Sequence, residues 1–348
     1  MIRCALRCLF FVFLTGSALA ADESVQSQPV MAIARHEAGE QRPSSTPVPP
    51  LDEKAEYFAI DGPIVDRVAT RDSDQFKRDI TRIGMMVHYA SPFEFVTVGV
   101  SRDEFRQGDW SASVDSVILA GRKLNRRTGE GFTARIGATT NTDHVNWHGE
   151  GTWNIRFSEQ TGIELIGNRD AVETPKGLEQ RILSNFVAVS LDHALTDRLT
   201  VIAMPTYRQF TDDNTQRGGR AWLIYGLLPS YGLSVELKAQ AYESTGDSQG
   251  IYFSPDFYER AEIGMRLRHA IGHWRVFASA HVGKEIINHE IDKPTSAFAF
   301  NTQRSFDNKL TIGLQFSYYR TASTATSIED VGAYSWRMGR IFVMFPLP

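Results

Sequence analysis

The sequence predicts an all-β fold: an antiparallel transmembrane β-barrel of the outer-membrane type. Three observations carry this expectation. They are an export signal at the N-terminus, long runs of period-two hydropathy, and connections that alternate between short and long.

The first twenty residues have the form of a secretory signal peptide. Arg3 and Arg7 charge its start, Cys8 to Leu14 forms a short apolar core, and Ala18-Leu19-Ala20 sets small residues at −3 and −1. Cleavage is expected after Ala20. The apolar run is well short of the ~20 residues a spanning helix requires. Cys4 and Cys8, the only cysteines, leave with this peptide, so the mature chain can form no disulfide and no cysteine zinc site. Residues 21–57, rich in Gln, Ser, Pro and Glu around Pro43 to Pro50, read as a flexible periplasmic linker. Residues 58–348 remain for the barrel.

No later stretch is apolar enough for a membrane helix. A membrane-spanning form must therefore be a closed barrel, because only helices and barrels satisfy every backbone group in lipid. A hydrophobic content of 42% suits that form, since only alternate strand residues meet lipid. The net charge of −4 and the lack of a Lys/Arg-rich run argue against a nucleic-acid partner.

The alternation is clearest at Lys309 to Arg320. Leu310, Ile312, Leu314, Phe316 and Tyr318 share one face, and Thr311, Gly313, Gln315 and Ser317 the other. Residues 233–242, 260–269 and 274–282 repeat the scheme. Pro205 inside 199–207 predicts a bulge or a break. The candidate strands run 10–14 residues, long for a soluble sheet but suited to the ~9–11 tilted residues of a membrane strand.

Short connections fall at 195–198, 229–232, 271–272 and 307–308, between longer polar ones at 211–219, 243–257, 287–294 and 321–329. Short turns on one rim and long loops on the other mark an outer-membrane barrel. Strands are expected near 79–90, 94–105, 110–123, 131–141, 145–157, 162–169, 182–194, 198–210, 218–228, 233–243, 258–270, 273–286, 295–306, 309–320 and 331–345. With both termini in the periplasm, a first strand at 58–70 completes sixteen, or fourteen if weak pairs merge. Arg337-Met-Gly339-Arg-Ile-Phe342-Val-Met344 fits a terminal assembly signal, but a frame ending at Phe345 places the opposite residues toward lipid.

Little points to catalysis. His144 with His148, and His269 with His273, have helical chelate spacing, but four strand residues span ~13 Å, too far for one metal. Gly246-Asp-Ser248-Gln-Gly250 has the Gly-x-Ser-x-Gly form, but it lies in the polar connection 243–257, not at the strand-to-helix turn a nucleophile elbow needs, and glycine-rich phosphate loops are absent. No metal and no cofactor are expected. The lumen face is more informative: Arg208, Arg220, Lys238, Arg260, Arg266, Arg268 and Arg275 alternate with apolar residues, beside Glu236 and Glu262. They either pair across strands and brace the wall or form a basic strip for an anionic or hydroxylated solute. Trp222, Tyr225, Tyr231, Trp274, Tyr318, Tyr319, Tyr334 and Trp336 are expected mostly in the interfacial girdles, with a minority turned inward to stack on sugar rings.

Two segments carry a family resemblance. Gly167-Asn-Arg169-Asp170-Ala-Val-Glu173-Thr174, with Leu178 to Ile182 after it, resembles a motif of exopolysaccharide export porins. Ile251-Tyr-Phe253-Ser254-Pro255-Asp-Phe-Tyr258-Glu259, leading into Ile263 to Arg268, resembles a second. Both belong to the C-terminal barrels of the poly-N-acetylglucosamine export porin and the cellulose synthase outer-membrane subunit. The resemblance covers about 160–348 and implies a sixteen-stranded pore that passes a nascent polysaccharide. Arg169 is expected on the lumen wall with the charged residues named above. The resemblance also implies an inner-membrane glycosyltransferase as a partner. Those exporters carry a periplasmic tetratricopeptide array, and only the linker stands in its place here. Either a separate periplasmic scaffold supplies it, or the barrel acts alone on another cargo. A structural barrel without transport is the second reading, and an outer-membrane enzyme the third.

Overall fold

Alternating apolar and polar side chains leave an extended chain with one wet and one dry face, and sixteen such segments close on one another here. The computed structural model describes residues 63–344, apart from 92, 126–127, 142–143, 249, 290, 307–309 and 322–333. The expected signal peptide and its cleavage after Ala20, the linker 21–57, the barrel start at 58 and Phe345 lie outside these residues.

The strands are β1 (Pro63–Asp72), β2 (Lys77–Ser91), β3 (Glu94–Gln107), β4 (Trp110–Leu124), β5 (Gly131–Asn141), β6 (His144–Arg156), β7 (Thr161–Ala171) and β8 (Leu183–Ala194). They continue as β9 (Leu199–Phe210), β10 (Thr215–Leu228), β11 (Leu233–Ser244), β12 (Phe257–Ile271), β13 (Trp274–Ile287), β14 (Ile291–Ser305), β15 (Thr311–Thr321) and β16 (Tyr334–Met344). A five-residue helix, α1 (Pro175–Glu179), sits between β7 and β8. Every strand pairs antiparallel with its sequence neighbours, and β1 pairs with β16 from Ile64↔Met344 to Asp72↔Trp336. Sixteen strands is the count the sequence predicted, and no pair merges.

The outer face is apolar at mid-height. On β12, Ala261, Ile263, Met265 and Leu267 lie between Glu259 and His269. That interval spans about 26 Å along the axis at a tilt of ~40°, the height of an outer-membrane apolar band. Exposed Ile83, Val100, Val117, Ile136, Val189, Leu223, Leu237 and Leu314 carry the belt around the barrel.

Several local expectations change. The strand ladders extend above the belt, so the connections expected at 211–219 and 287–294 shrink to 211–214 and 288–290. Only 172–182, 245–256 and the span 322–333 are long on that rim. Pro205 neither bulges nor breaks β9. Its register with β10 runs unshifted from Thr215↔Gln209 to Tyr225↔Leu199, and with β8 only the pairs around Pro205 are missing. Proline lacks the N–H that the ladder needs there. Irregularities fall instead at Met86/His88, Tyr89/Ser91 and Gly226/Leu228. Of the two terminal frames, the one that runs from Arg337 to Met344 with Phe342 toward lipid does not hold. Phe342 faces the lumen, because the ring lies over the inward Gly313 opposite it, while Ile341 is exposed on the outer face.

Candidate functional site: the lumen wall and its mouth

Strand parity decides what lines the lumen, and charge there is tolerated where in lipid it would cost several kcal/mol. In the C-terminal half the wall is organised around Glu236, 1% exposed. The register sets Gly264 opposite Glu236 and His281 opposite Gly264. Across that glycine, His281 Nε2 lies 2.9 Å from the carboxylate, Arg266 pairs with it at 2.6 Å and Lys238 at 3.6 Å. Beside it, Glu262 accepts from Thr295 Oγ1 at 2.9 Å and lies 3.9 Å from Arg260. Arg260 donates to Gln240 and to the Tyr319 hydroxyl. Glu285 accepts from Tyr258 at 2.8 Å and from Thr321. Buried ions are tolerated only when paired and hydrogen-bonded in this way.

The N-terminal half carries an equal network that sequence reasoning did not single out. Asp66 on β1 holds Arg340 at 2.8 Å and Arg82 at 3.2 Å, so it bridges β16, β1 and β2 across the closing seam. Arg135 pairs with Glu150 at 3.2 Å, and Arg78 with Asp103 at 2.5 Å. The available signal was weak. Near the rim both faces of β2 are polar, so inward Arg78 is flanked by outward Lys77 and Asp79 and the period of two disappears.

Two packing devices recur on the inner wall. Guanidinium groups lie over inward aromatic rings: Arg78 over Phe105, Arg122 over Phe95, Arg208 over Phe186 and Arg268 over Phe277, at 5.4 to 5.5 Å from the centroids. In each case the register places arginine and ring directly opposite. The stack holds a long side chain flat along the wall and keeps its charge. Rings also lie over cross-strand glycines, with His148 on Gly137, His281 on Gly264 and Phe342 on Gly313.

At the long-loop rim the two motifs that carry the family resemblance meet. Thr174 Oγ1 accepts from Gly177 N at 3.0 Å, capping α1, and donates to Ile251 O at 2.7 Å. Pro175 starts the helix, where its missing N–H costs nothing. Gly177 is required, since a Cβ would press on Val172 O and Thr174 Oγ1. Tyr252 stacks on Phe210 at 4.3 Å and donates to Asp212 at 2.8 Å, while Asn214 donates to Tyr252 and Ser254. Val172, Ile182, Phe210, Ile251 and Tyr252 form one buried apolar cluster under these bonds. Burial, with Asp212 beside it, pushes the Tyr252 phenol above its ordinary range. Glu173 then pairs with Arg78 on β2, tying the loop to the N-terminal wall.

Arg208, Arg220, Glu236, Lys238, Arg260, Glu262, Arg266 and Arg268 all occupy inward positions. Arg275 has inward parity but is exposed beside the 272–273 turn. Arg169 is a correction: it alternates with inward Glu164, Ile166, Asn168 and Asp170, and therefore faces outward. There its guanidinium donates to Trp147 O and Asn185. Trp222, Tyr319 and Trp336 turn inward instead of joining a girdle. Trp222 packs with Ile166, Phe186, Ile202, Met204 and Ile224. Tyr225, Tyr231 and Trp274 are exposed toward the short-turn rim. His148 faces the lumen and His269 packs against Tyr231 at that rim. Among the described residues no group of three His, Cys, Asp or Glu could hold a metal.

No protein-family model and no curated protein matches the sequence. Among solved structures, a bacterial polysaccharide outer membrane secretin superposes with a TM-score of 0.61 at 11% identity, over 83% of this chain and 99% of that one. Pseudomonas aeruginosa OccK7 (OpdD) aligns at 0.40 and 11% identity over 82% and 97%, and OprD from the same organism at 0.39 and 10% over 85% and 96%. The first likeness is one of fold, and it gives this chain the closed sixteen-stranded architecture of an outer-membrane barrel.

Proposed function

We propose that the chain is an outer-membrane channel of the exopolysaccharide-export type, and that it moves its cargo without catalysing a reaction. The observation that carries this reading is the lumen wall: charges held flat over aromatic rings inside a closed barrel whose outer belt matches a bilayer core. Such a wall offers a sliding polymer many weak polar contacts and ring faces, with no single tight site, which is what conduction requires. A barrel of this strand number leaves room for an aqueous path. The likeness in fold to a polysaccharide secretin and the two resembling motifs at the mouth support the same cargo class.

The path runs along Arg208, Arg220, Glu236, Lys238, Arg260, Glu262, Arg266 and Arg268, with Arg275 at the periplasmic rim. A separate periplasmic scaffold protein and an inner-membrane glycosyltransferase complete the route. Deleting the gene is expected to abolish secreted polysaccharide while synthesis continues, with polymer collecting in the periplasm. Unchanged secretion from the deletion strain rejects the reading. In planar bilayers the purified chain is expected to conduct, in larger steps once residues 245–256 are shortened. A barrel that stays silent after that change is a structural one.

A further inference from the structure

A row of cations crosses the outer wall at the seam where the barrel closes. The register sets Arg106 opposite Lys77, Lys77 opposite Arg71, and Arg71 opposite Arg337, across β3, β2, β1 and β16. Arg320 on β15 follows diagonally, through its partner Ser335. All five are exposed, and each has opposite parity to a buried inward residue: Phe105, Ile80, Val68, Met338 and Thr321. The row therefore faces away from the lumen. Three alternate positions nearer mid-barrel the same wall presents exposed Val65, Ile83 and Val100, and two alternate positions from Arg337 it presents Ile341, the start of the apolar belt.

Like charges directly opposite on a sheet face repel, with Cβ atoms only ~5 Å apart. The acids of this face lie one row nearer mid-barrel and are already engaged. Glu104 holds Arg106 at 2.8 Å and Arg102 at 3.4 Å, and Asp79 lies 4.0 Å from Arg67. Among the described residues no acid pairs with Lys77, Arg71, Arg337 or Arg320. A line of like charge about 14 Å long, at ~4.8 Å per strand, is thus left beside the long-loop rim, roughly 10–16 Å above the last apolar residues of the belt at ~3.4 Å per residue and ~40° tilt. A large lipid headgroup reaches that height from the leaflet on the same side, whereas cargo in the lumen does not meet the outer wall.

We propose that this row binds a membrane lipid whose headgroup carries two or more phosphates, in the leaflet on the long-loop side. Multiple phosphates match several adjacent cations better than one, and arginine receives phosphate in bidentate fashion. Because Arg71 and Arg337 belong to the β1–β16 pair, the bound headgroup relieves repulsion across the closing seam and stabilises the closed barrel.

The test is thermal unfolding of the purified full chain in zwitterionic detergent. It is titrated with bisphosphorylated lipid A, its monophosphorylated form, phosphatidylglycerol and inorganic phosphate. The midpoint is expected to rise by several degrees with the first, by half as much or less with the second, and negligibly with the others. The double variant Arg71→Gln with Arg337→Gln is expected to unfold without lipid at or above the wild-type temperature, since a repulsion is gone, and to lose most of the lipid-induced rise. Lys77→Gln with Arg320→Gln is a second, independent variant expected to lose it as well. A full rise in both variants overturns the proposal, as does an equal rise with phosphatidylglycerol or with inorganic phosphate.

Discussion

At the scale of single residues, the wall is built from pairs that no one strand specifies. Gly264 carries no chemistry, yet it makes room for His281 to reach Glu236, and a Cβ there would strike both the imidazole and the backbone carbonyl of Ala280. Gly264→Val is therefore expected to cost about 1–3 kcal/mol as an overpacking change. Gly339 faces outward with nothing within 4 Å of where its Cβ would sit, so Gly339→Ala should leave stability nearly unchanged. Heat-modified migration of the folded barrel on gels reads both. Equal loss in the two variants would show that the ring-over-glycine contact contributes nothing. Inward Glu236, Arg260 and Arg266 were legible from alternation, because their strands place apolar residues on the other face. Arg169 was misplaced because parity with Glu164 and Ile166, which turns it outward, was not applied to it.

At the scale of elements, the two loops at the mouth behave as one unit. Thr174→Val removes both the cap of α1 and the bond to Ile251. Loss of a cap alone costs about 1 kcal/mol, so the docked loops are expected to be cut faster by external protease, with little change in barrel unfolding. The Tyr252 phenol adds a dependence on pH. Its protonated form is the one held by Asp212, so the contribution is complete below the usual phenol range near ~10 and fades as pH climbs through the raised native value. Proteolysis of loop 245–256 in wild type should accelerate above that range, whereas Tyr252→Phe should be faster at neutral pH and flat on alkaline titration. A wild-type rate that stays constant to high pH removes Tyr252 from the latch. Both loop segments were recognisable in the sequence, but their contact was not, since Thr174 and Ile251 are brought together only by closure of β8 to β11. Loops 211–219 and 287–294 were read too long for a related reason: strands that rise above lipid are polar on both faces, so Gln216 and Arg217, or Lys293, resemble loop.

At the scale of the whole molecule, the orientation follows from the rims. Cysteine placed at Thr196, on the short-turn rim, is expected to resist a membrane-impermeant maleimide on intact cells, and cysteine at Asp247 to react. The reverse pattern would invert the barrel. The strand count was legible because each short turn forces a return strand, and β1 was found by that parity requirement and not by its own weak pattern.

The seam between β1 and β16 also sets the order of assembly. Its partners, from Ile64↔Met344 to Asp72↔Trp336, are the most distant in the chain, and the entropy of closing so long a loop must be met before that ladder forms. Fifteen strand pairs can grow by adding neighbours as the chain arrives, but the sixteenth must wait for the last strand. Until then both ends of the sheet are open edges, free to pair with another chain. Folding is thus expected to be slow and all-or-none at its final step, and a chain that ends before Tyr334 leaves β1 permanently without its partner.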